Sequence, residues 1–293
     1  MSQAFITSVE GNRQLLDGGA MFGNAPRPVW ERWIKPDDVG RIPLACRSLL
    51  IEFDGKKLLC ETGIGAFFDP KMAERFGVQS PDRHLLLENL KAQGHAPESI
   101  DYVILSHLHF DHAGGLLPTF AETKQGRTDL VFPRARFIVG HEAWERALHP
   151  HSRDRASFIP ELTDKLKASG RLIIHPKDPL PEPLKSRVEF ILSQGHTPGQ
   201  MLTLFKGDTQ KVFFCGDLIP GRPWVHLPIT MGYDRYPERL IDEKEDLYKR
   251  AVPEDWLLFF THDPEAAGSH VRRLDSGKFA PTQIGNAFIH QAV

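Results

Sequence analysis

The sequence contains little cysteine, no long apolar run and no excess of charge of one sign. Three of its 293 residues are cysteine, and Cys46, Cys60 and Cys215 show no paired spacing, so a disulfide framework is not expected. No apolar run approaches the roughly 18 residues of a membrane span. The net charge of −2 and the scattered Lys and Arg residues do not form the basic surface that nucleic-acid binding needs.

The amino terminus lacks the features of a targeting segment. Residues 1–5, MSQAF, have neither the charged region nor the apolar region of a signal peptide. With 41% hydrophobic and 25% charged residues, the composition is that of a globular protein. There is no internal repeat and no linker. These features together predict a cytoplasmic protein with a single domain over residues 1–293 and no membrane or nucleic-acid partner.

Four strand-like apolar runs each lead to a residue that can bind a metal ion. Residues 102–106 precede His107, residues 188–192 precede His196, residues 212–216 precede Asp217, and residues 256–261 precede His262. Buried strands that each end on such a side chain bring them to a common edge, and open sheets bind ligands at the carboxyl ends of their strands. The sequence therefore predicts a cluster of histidine and aspartate side chains.

The densest part of this pattern is HLHFDH, which begins at His107. His107 and His109 are two residues apart on an extended segment, so they point the same way and can hold one metal ion together. Asp111 and His112 come as the chain turns, and the Ala-Gly-Gly sequence of residues 113–115 gives the backbone room. They are predicted to face a second ion.

Seven ligands are too many for one tetrahedral ion and suit two divalent ions. We assign His107, His109 and His196 to the first ion, Asp111, His112 and His262 to the second, and Asp217 to a bridge shared with a hydroxide. Zinc is the first choice for a histidine-rich site, while ligand type leaves iron, manganese and cobalt open. The hydroxide would attack a carbonyl carbon or a phosphorus, and Asp111 would receive or relay the proton.

The remaining pattern predicts two packed sheets covered by helices, an α+β fold built as a four-layer αββα sandwich. Residues 48–53 and 57–61 flank Asp54-Gly55, a strong hairpin signal. A helix is predicted over 81–90 with Asp82 as its cap. Further strands are predicted at 136–139 and 201–205, further helices at 141–148, 161–169 and 237–250, and long excursions near the site at 119–151 and 219–239.

The HLHFDH block, followed in order by His196, Asp217 and His262, resembles the signature of the metallo-β-lactamase fold superfamily. The resemblance implies an αββα sandwich with metals at one edge, and His112 favours the hydrolase branches with two occupied sites. DGGAMFG from Asp17, RSLLI from Arg47 and GDLI from Gly216 are similar to N-acyl-homoserine lactonases and methyl parathion hydrolase-type enzymes.

Two positions depart from that family pattern. The usual Asp-Thr-Gly turn is replaced by an ETG sequence that begins at Glu61, whose longer carboxylate is expected to orient a metal ligand. Lactonases of this type carry a tyrosine three residues after the bridging aspartate, where this chain has Pro220. A hydroxyl directed at the substrate carbonyl would then come from Tyr233 or be absent.

An apolar substrate wall is predicted from Phe22, Trp224, His226 and Met231, since ligand sites are mostly apolar. The alternative is that these residues pack the loops against their own domain or a second subunit. That alternative is favoured for the tryptophans of the front segment, and the aromatic character of this segment suggests a homodimer.

The predicted function is hydrolysis of a small, fairly apolar ester, first of all a lactone. The alternative on the same metals is phosphotriester or phosphodiester hydrolysis. An iron-dependent sulfur dioxygenase and a signalling effector without turnover are two further possibilities. The lack of a basic cluster favours a neutral substrate over a polyanion.

Overall fold

Strands and helices alternate along the chain, which the computed structural model describes over residues 3–293. Within that range the strands are β1 (Phe5–Glu10), β2 (Gln14–Asp17), β3 (Arg41–Leu44), β4 (Arg47–Phe53), β5 (Lys56–Cys60), β6 (Tyr102–Leu105), β7 (Arg136–Gly140), β8 (Leu172–His175), β9 (Val188–Ser193), β10 (Gln200–Lys206), β11 (Lys211–Phe214), β12 (Leu257–Phe259), β13 (Gly268–Arg273), β14 (Phe279–Gly285) and β15 (Gln291–Ala292). The α-helices are α1 (Gly18–Phe22), α2 (Arg27–Trp30), α3 (Pro70–Arg75), α4 (Leu85–Ala92), α5 (Phe110–Ala113), α6 (Phe120–Lys124), α7 (His141–Leu148), α8 (Leu162–Ala168), α9 (Glu182–Lys185) and α10 (Pro237–Ala251). Short 3-10 turns lie at Pro97–Ser99, Gly114–Leu116, Arg155–Ser157 and Arg222–Val225.

Two sheets form the centre of the fold. One has the strand order β15-β1-β4-β5-β6-β7-β8 and the other the order β14-β13-β12-β11-β10-β9, while β2 and β3 form a separate hairpin. Strands β5 to β8 run parallel, as do β11 and β12. The parallel strands thus deliver the residues that follow them to one edge of each sheet.

Apolar side chains are buried on both faces of each sheet, which is why the strands read as continuous apolar runs. In β6, Ile104 packs between the two sheets, whereas Val103 packs beneath α4, α7 and α8. In β11, Phe214 lies between the sheets and Phe213 packs beneath α10. This alternation produces the helix–sheet–sheet–helix order, so the predicted four-layer sandwich is confirmed.

The hairpin predicted around Asp54-Gly55 is confirmed. Strands β4 and β5 pair antiparallel up to Phe53 and Lys56. Asp54 and Gly55 both have positive φ, 47° and 71°, as a two-residue turn of this hand requires.

The helix predicted over 81–90 begins later than expected, and Asp82 is not its cap. Helix α4 begins at Leu85, whose backbone N–H donates to Asn12 Oδ1 at 3.1 Å. The side chain that satisfies this helix end therefore comes from a remote part of the chain, and the local pattern could not show it.

The prediction of an excursion over 119–151 is also wrong for most of its length. Strand β7 is part of the first sheet, and Ala143 and Trp144 of α7 pack in the outer layer of that sheet. The segment 219–239, in contrast, does lie over the edge of the second sheet. It is held by Lys244 of α10, which is fully buried and donates to the carbonyl oxygens of Trp224, His226 and Ile229 at 2.8, 3.0 and 2.9 Å.

The front segment packs against the rest of the chain through its aromatic side chains. Phe22 stacks between Trp30 and Trp224, with ring centroids 5.5 and 4.6 Å apart, and all three rings are buried. The single domain and the homodimer stay predictions. No helix within residues 3–293 is both long and apolar enough to cross a membrane.

Candidate metal centre

The seven side chains proposed as ligands lie together at one edge of the sandwich. Four come from the segment after β6, His107 and His109 before α5 and Asp111 and His112 within it. The other three follow strands of the second sheet, with His196 after β9, Asp217 after β11 and His262 after β12. All are buried except Asp111, whose side chain is 14% exposed.

The first group consists of His107, His109, His196 and Asp217, whose nearest nitrogen and oxygen atoms lie within 4.8 Å of one another. His109 Nδ1 is 3.0 Å from His107 Nε2 and 3.3 Å from His196 Nε2. Asp217 Oδ2 is 3.1 Å from His196 Nε2 and 4.0 Å from His107 Nε2. These atoms surround a space the size of one ion.

The second group consists of Asp111, His112 and His262, also within 4.8 Å of one another. The Nε2 atoms of His112 and His262 are 3.3 Å apart, and Asp111 lies 3.7 and 3.6 Å from them. Asp217 Oδ2 is 3.2 Å from His112 Nε2, and Asp217 Oδ1 is 3.3 Å from His262 Nε2. Asp217 therefore lies between the two groups, in the position expected of a bridging carboxylate.

Hydrogen bonds on the far side of the rings assign the tautomers of two ligands. His196 Nδ1 lies 2.9 Å from Asp234 Oδ1, and His262 Nδ1 lies 2.7 Å from the carbonyl oxygen of Ala45. A carbonyl oxygen or ionised carboxylate can only accept, so in each ring Nδ1 carries the proton and donates. The Nε2 lone pairs are left directed into the cluster. The amide of His262 also donates to the Pro220 carbonyl at 2.9 Å, which helps to place this ring.

Glu61 fixes the Nδ1 proton of one histidine in each group, directly for His112 and through Ser106 for His107. His112 Nδ1 donates to Glu61 Oε2 at 2.7 Å, and Ser106 Oγ donates to Glu61 Oε1. Ser106 Oγ in turn accepts from His107 Nδ1 at 2.9 Å. Glu61 thus lies where the sequence analysis expected a ligand-orienting carboxylate. Its φ of 60° is uncommon outside glycine and stores backbone strain of the kind found at functional sites.

The turn that follows His112 packs closely against the Glu61 turn, and this packing depends on Gly115. Gly115 does not adopt an unusual φ, but a Cβ there would lie 2.0 Å from the carbonyl oxygen of Thr62. The glycine is therefore needed for packing of the ligand-bearing turn against the Glu61 turn, not for conformational freedom of the turn itself.

The chemistry of the assembled atoms fits divalent metal ions. Imidazole nitrogens and carboxylate oxygens converge on one another, and the buried Asp217 Oδ1 has no hydrogen-bond partner among residues 3–293. Buried acceptors without partners are costly, whereas nitrogen and oxygen ligands in this number are what zinc-like ions require.

The pKa values of the clustered histidines indicate that protons and metal ions compete for this site. Burial lowers the pKa of His109 to about 3. Burial also acts to lower the pKa of His112 and His262, but their other contacts together outweigh it. Asp217, Glu61 and Asp111 hold the pKa of His112 well above the usual range, and Asp217 and Cys46 do so for His262. Protons on these rings balance Asp217 when no cation is bound, so metal binding must release protons.

A cavity of about 300 Å³ opens onto the cluster. Its floor includes His109, Asp111, His196, Asp217 and His262, and its apolar wall is formed by Leu16, Met21, Phe76, Phe110 and Met231. Tyr233, Arg153 and Arg235 also belong to its wall. A mostly apolar pocket with a few convergent polar groups is the usual form of a small-molecule site.

The structure brings only part of the predicted substrate wall to this cavity. Met231 and Tyr233 line it, whereas Phe22, Trp224 and His226 do not. Trp224 is buried and its Nε1 donates to the Met21 carbonyl at 3.0 Å. His226 stacks on Trp33 with ring centroids 5.6 Å apart. These aromatic rings pack against one another instead of facing the cavity.

Several residues of the site were not found from the sequence. Gln14 Nε2 donates to Asp111 Oδ2 at 2.8 Å across 97 residues of sequence, and no local signal marks it. Ser106 and Asp234 are direct sequence neighbours of His107 and Tyr233, so adjacency was the one available signal. The two arginines of the cavity wall carry no motif.

The fold and site define a metal-dependent hydrolase of the αββα type. The sequence pattern of the metallo-beta-lactamase superfamily matches residues 41–262, which include all seven proposed ligands. The chain belongs to the metallo-beta-lactamase superfamily.

Its relatives carry the same class of activity. N-acyl homoserine lactonase AiiA of Bacillus thuringiensis subsp. kurstaki is 26% identical over 250 residues, covering 79% of this chain and 86% of the lactonase. The structure of a probable metal-dependent hydrolase from Staphylococcus aureus superposes with a TM-score of 0.82 at 25% identity, covering 100% of both chains. The dizinc quorum-quenching lactonase AidC has the same fold, with a TM-score of 0.72 at 20% identity over 97% and 96% of the two chains. The predicted class, metal-dependent hydrolase, is confirmed.

Proposed function

We propose that this protein opens a small, largely apolar lactone, of the N-acyl-homoserine type, with two divalent ions for which zinc is the first choice. The observation that carries the proposal is the convergence of imidazole nitrogens and carboxylate oxygens at the floor of an apolar-walled cavity. The lactonase names of the relatives support the substrate class.

His107, His109 and His196 would hold the first ion, Asp111, His112 and His262 the second, and Asp217 would contact both. Bound ions supply Lewis acidity and lower the pKa of water, so that hydroxide is available near neutral pH. Glu61 and Asp234 accept the Nδ1 protons of His112 and His196 and orient these rings so that their Nε2 atoms would face the ions.

Asp111 is the proposed proton acceptor. It is the one ligand that is partly exposed to the cavity, and Gln14 fixes its Oδ2 by a hydrogen bond of 2.8 Å. A carboxylate held in this way at the cavity floor can take the proton of the attacking water and pass it to the leaving alcohol oxygen.

Tyr233 is the proposed hydrogen-bond donor to the substrate carbonyl, in place of the tyrosine that Pro220 replaces. It lines the cavity, and burial together with the Asp111 carboxylate raises the pKa of its hydroxyl. The hydroxyl is therefore protonated at neutral pH and can donate to the oxygen on which negative charge develops.

The test is elemental analysis of protein purified without added metal, with lactone opening and aryl phosphotriester hydrolysis followed on the same sample. About two ions per chain and turnover of N-hexanoyl-homoserine lactone are expected. Asp217→Ala should lose both, while Asp246→Ala, an exposed carboxylate change on α10, should lose neither.

The other outcomes separate the rival functions. Two ions with phosphotriester turnover alone would replace lactone hydrolysis by phosphoester hydrolysis. A single iron per chain would point to sulfur dioxygenation, and two ions without turnover on any ester would point to a signalling effector.

A further inference from the structure

Two arginines line the metal-site cavity without a carboxylate partner. Arg153 and Arg235 both belong to its wall, and neither forms an ion pair within residues 3–293, whereas Arg146 and Arg222 do. The carboxylate in the same wall, Asp154, is taken by Arg146, whose Nε and Nη2 donate to Asp154 Oδ2 at 3.0 and 2.7 Å. The wall therefore carries two uncompensated positive charges.

Arg235 is rigidly connected to the metal site. Its backbone N–H donates to the carbonyl oxygen of His196 at 3.1 Å, and its neighbour Asp234 holds the ring of His196. The Arg235 Nε and Nη1 atoms are buried and have no hydrogen-bond partner among residues 3–293. The Arg235 side chain as a whole is half-buried, and two buried donors without a partner are costly unless an acceptor reaches this guanidinium from outside the chain.

Arg153 is placed beside it through shared contacts. Its Nη2 donates to the Gly232 carbonyl at 2.9 Å, and its backbone N–H donates to His151 Nδ1 at 3.1 Å. The same His151 Nδ1 is 3.5 Å from Arg235 Nη2. His151 thus contacts the backbone of Arg153 and the side chain of Arg235, and both arginines line the cavity together with Gly232 and Tyr233.

We propose that the substrate carries a carboxylate at the end remote from the ester that is cleaved, and that Arg153 and Arg235 bind this carboxylate. The inference rests on the proposed ester hydrolysis and replaces the neutral acyl group expected of the substrate by one that carries a negative charge. A guanidinium matches the two oxygens of a carboxylate with two parallel N–H donors. Met231 and Phe110 line the same cavity and suit a short apolar spacer.

The experiment compares two esters that differ only in that charge, the 4-nitrophenyl monoester of glutaric acid and its neutral methyl ester. The wild-type kcat/KM is expected to be roughly 10-fold or more higher for the anion, mainly through KM, since charge-assisted hydrogen bonds are about twice as strong as neutral ones. The preference should fall to near parity in Arg235→Gln and be partly kept in Arg235→Lys. Added salt should reduce the preference.

The matched control is Arg134→Gln. Arg134 is exposed and precedes β7, at the end of the sheet opposite the metal site, so the change removes the same net charge without touching the cavity. Equal kcat/KM for the two esters in the wild type, or a preference that Arg134→Gln lowers as much as Arg235→Gln, would overturn the proposal.

Glutarate binding by calorimetry separates this inference from the proposed function. If neither ester is hydrolysed, glutarate binding that is lost in Arg235→Gln still supports an anion subsite. Absent binding, or binding that is unchanged in Arg235→Gln, refutes it. Hydrolysis of the neutral ester without a charge preference refutes the inference and leaves the hydrolase intact.

Discussion

Replacing Glu61 with glutamine changes which protons both histidine groups carry. In the wild-type chain both Glu61 oxygens accept, one from His112 Nδ1 at 2.7 Å and the other from Ser106 Oγ. Glutamine has the same shape but one acceptor and one donor group. If its amide faces His112, the proton of that ring moves to Nε2. If it faces Ser106, the hydroxyl donates to His107 Nδ1, and His107 carries its proton on Nε2. In either case one lone pair directed at the cluster is lost.

The expected loss of zinc affinity follows from the hydrogen bond to the Glu61 carboxylate that is lost. A hydrogen bond to a charged group contributes about 1.5–3 kcal/mol, which corresponds to roughly 10- to 100-fold in an equilibrium constant. Outer hydrogen-bond partners of metal ligands have effects of that order on metal affinity. We therefore expect Glu61→Gln to bind zinc roughly 10- to 100-fold more weakly, measured by competition with a chromophoric chelator.

The control is Glu61→Asp, which keeps two acceptor oxygens and a residue type that tolerates the φ of 60°. Its affinity should fall by less than that of Glu61→Gln, although the side chain is one methylene shorter. Circular dichroism should show both variants folded. If folded Glu61→Gln binds zinc as tightly as the wild type, the assignment of the Nδ1 protons of His112 and His107 is refuted.

Three further changes probe the remaining parts of the site. Asp234→Asn should weaken zinc affinity by roughly 10-fold or more, because His196 Nδ1 loses its charged acceptor; unchanged chelator competition would contradict this. Tyr233→Phe should lower kcat for the lactone by roughly 10-fold or more with metal content unchanged, as expected for removal of an oxyanion donor; an unaltered kcat would exclude the hydroxyl. Lys244→Met should lower the free energy of unfolding by about 2–5 kcal/mol, because the buried carbonyl of Trp224 and the partly buried carbonyls of His226 and Ile229 lose their donor. Burial lowers the pKa of Lys244 to about 7, so above that pH the unfolded chain binds more protons than the folded one. The free energy of unfolding of the wild type, relative to that of Lys244→Met, should then rise with pH by up to about 1.4 kcal/mol per pH unit until the ordinary lysine pKa is reached. Denaturant unfolding of both proteins at pH 7 and 9 measures this rise. If there is none, the lysine stays charged in the folded chain.

The parts of the fold that could be predicted are those determined by a few consecutive residues. Strands β6, β11 and β12 are apolar runs that lead to a ligand, and the Asp54-Gly55 turn allows few conformations. The grouping of the seven side chains followed from strands that end at a common edge. Each of these signals lies within about ten consecutive residues.

The parts that could not be predicted depend on contacts between remote segments. Asn12 at the start of α4 and Gln14 on Asp111 are both tied to partners more than 70 residues away, and no periodicity records such a pair. Phe22 and Trp224 were expected at the substrate because they are aromatic and near the motif, but large rings gain more from stacking with one another in the core. The net charge of −2 is a sum over the whole chain, so it does not show that Arg153 and Arg235 lie at one cavity.

The division of the ligands between the two sheets has a consequence for stability. Four of them extend from β6 in one sheet, and three follow strands of the other. Ions bound here would link the two sheets of the sandwich, so that the sheets could not separate without releasing metal. Because ligands that bind only the folded state stabilise it by mass action, the melting temperature should track the concentration of free metal. Loss of metal would then remove the catalytic centre and one link between the two sheets at once, leaving the apolar core between them.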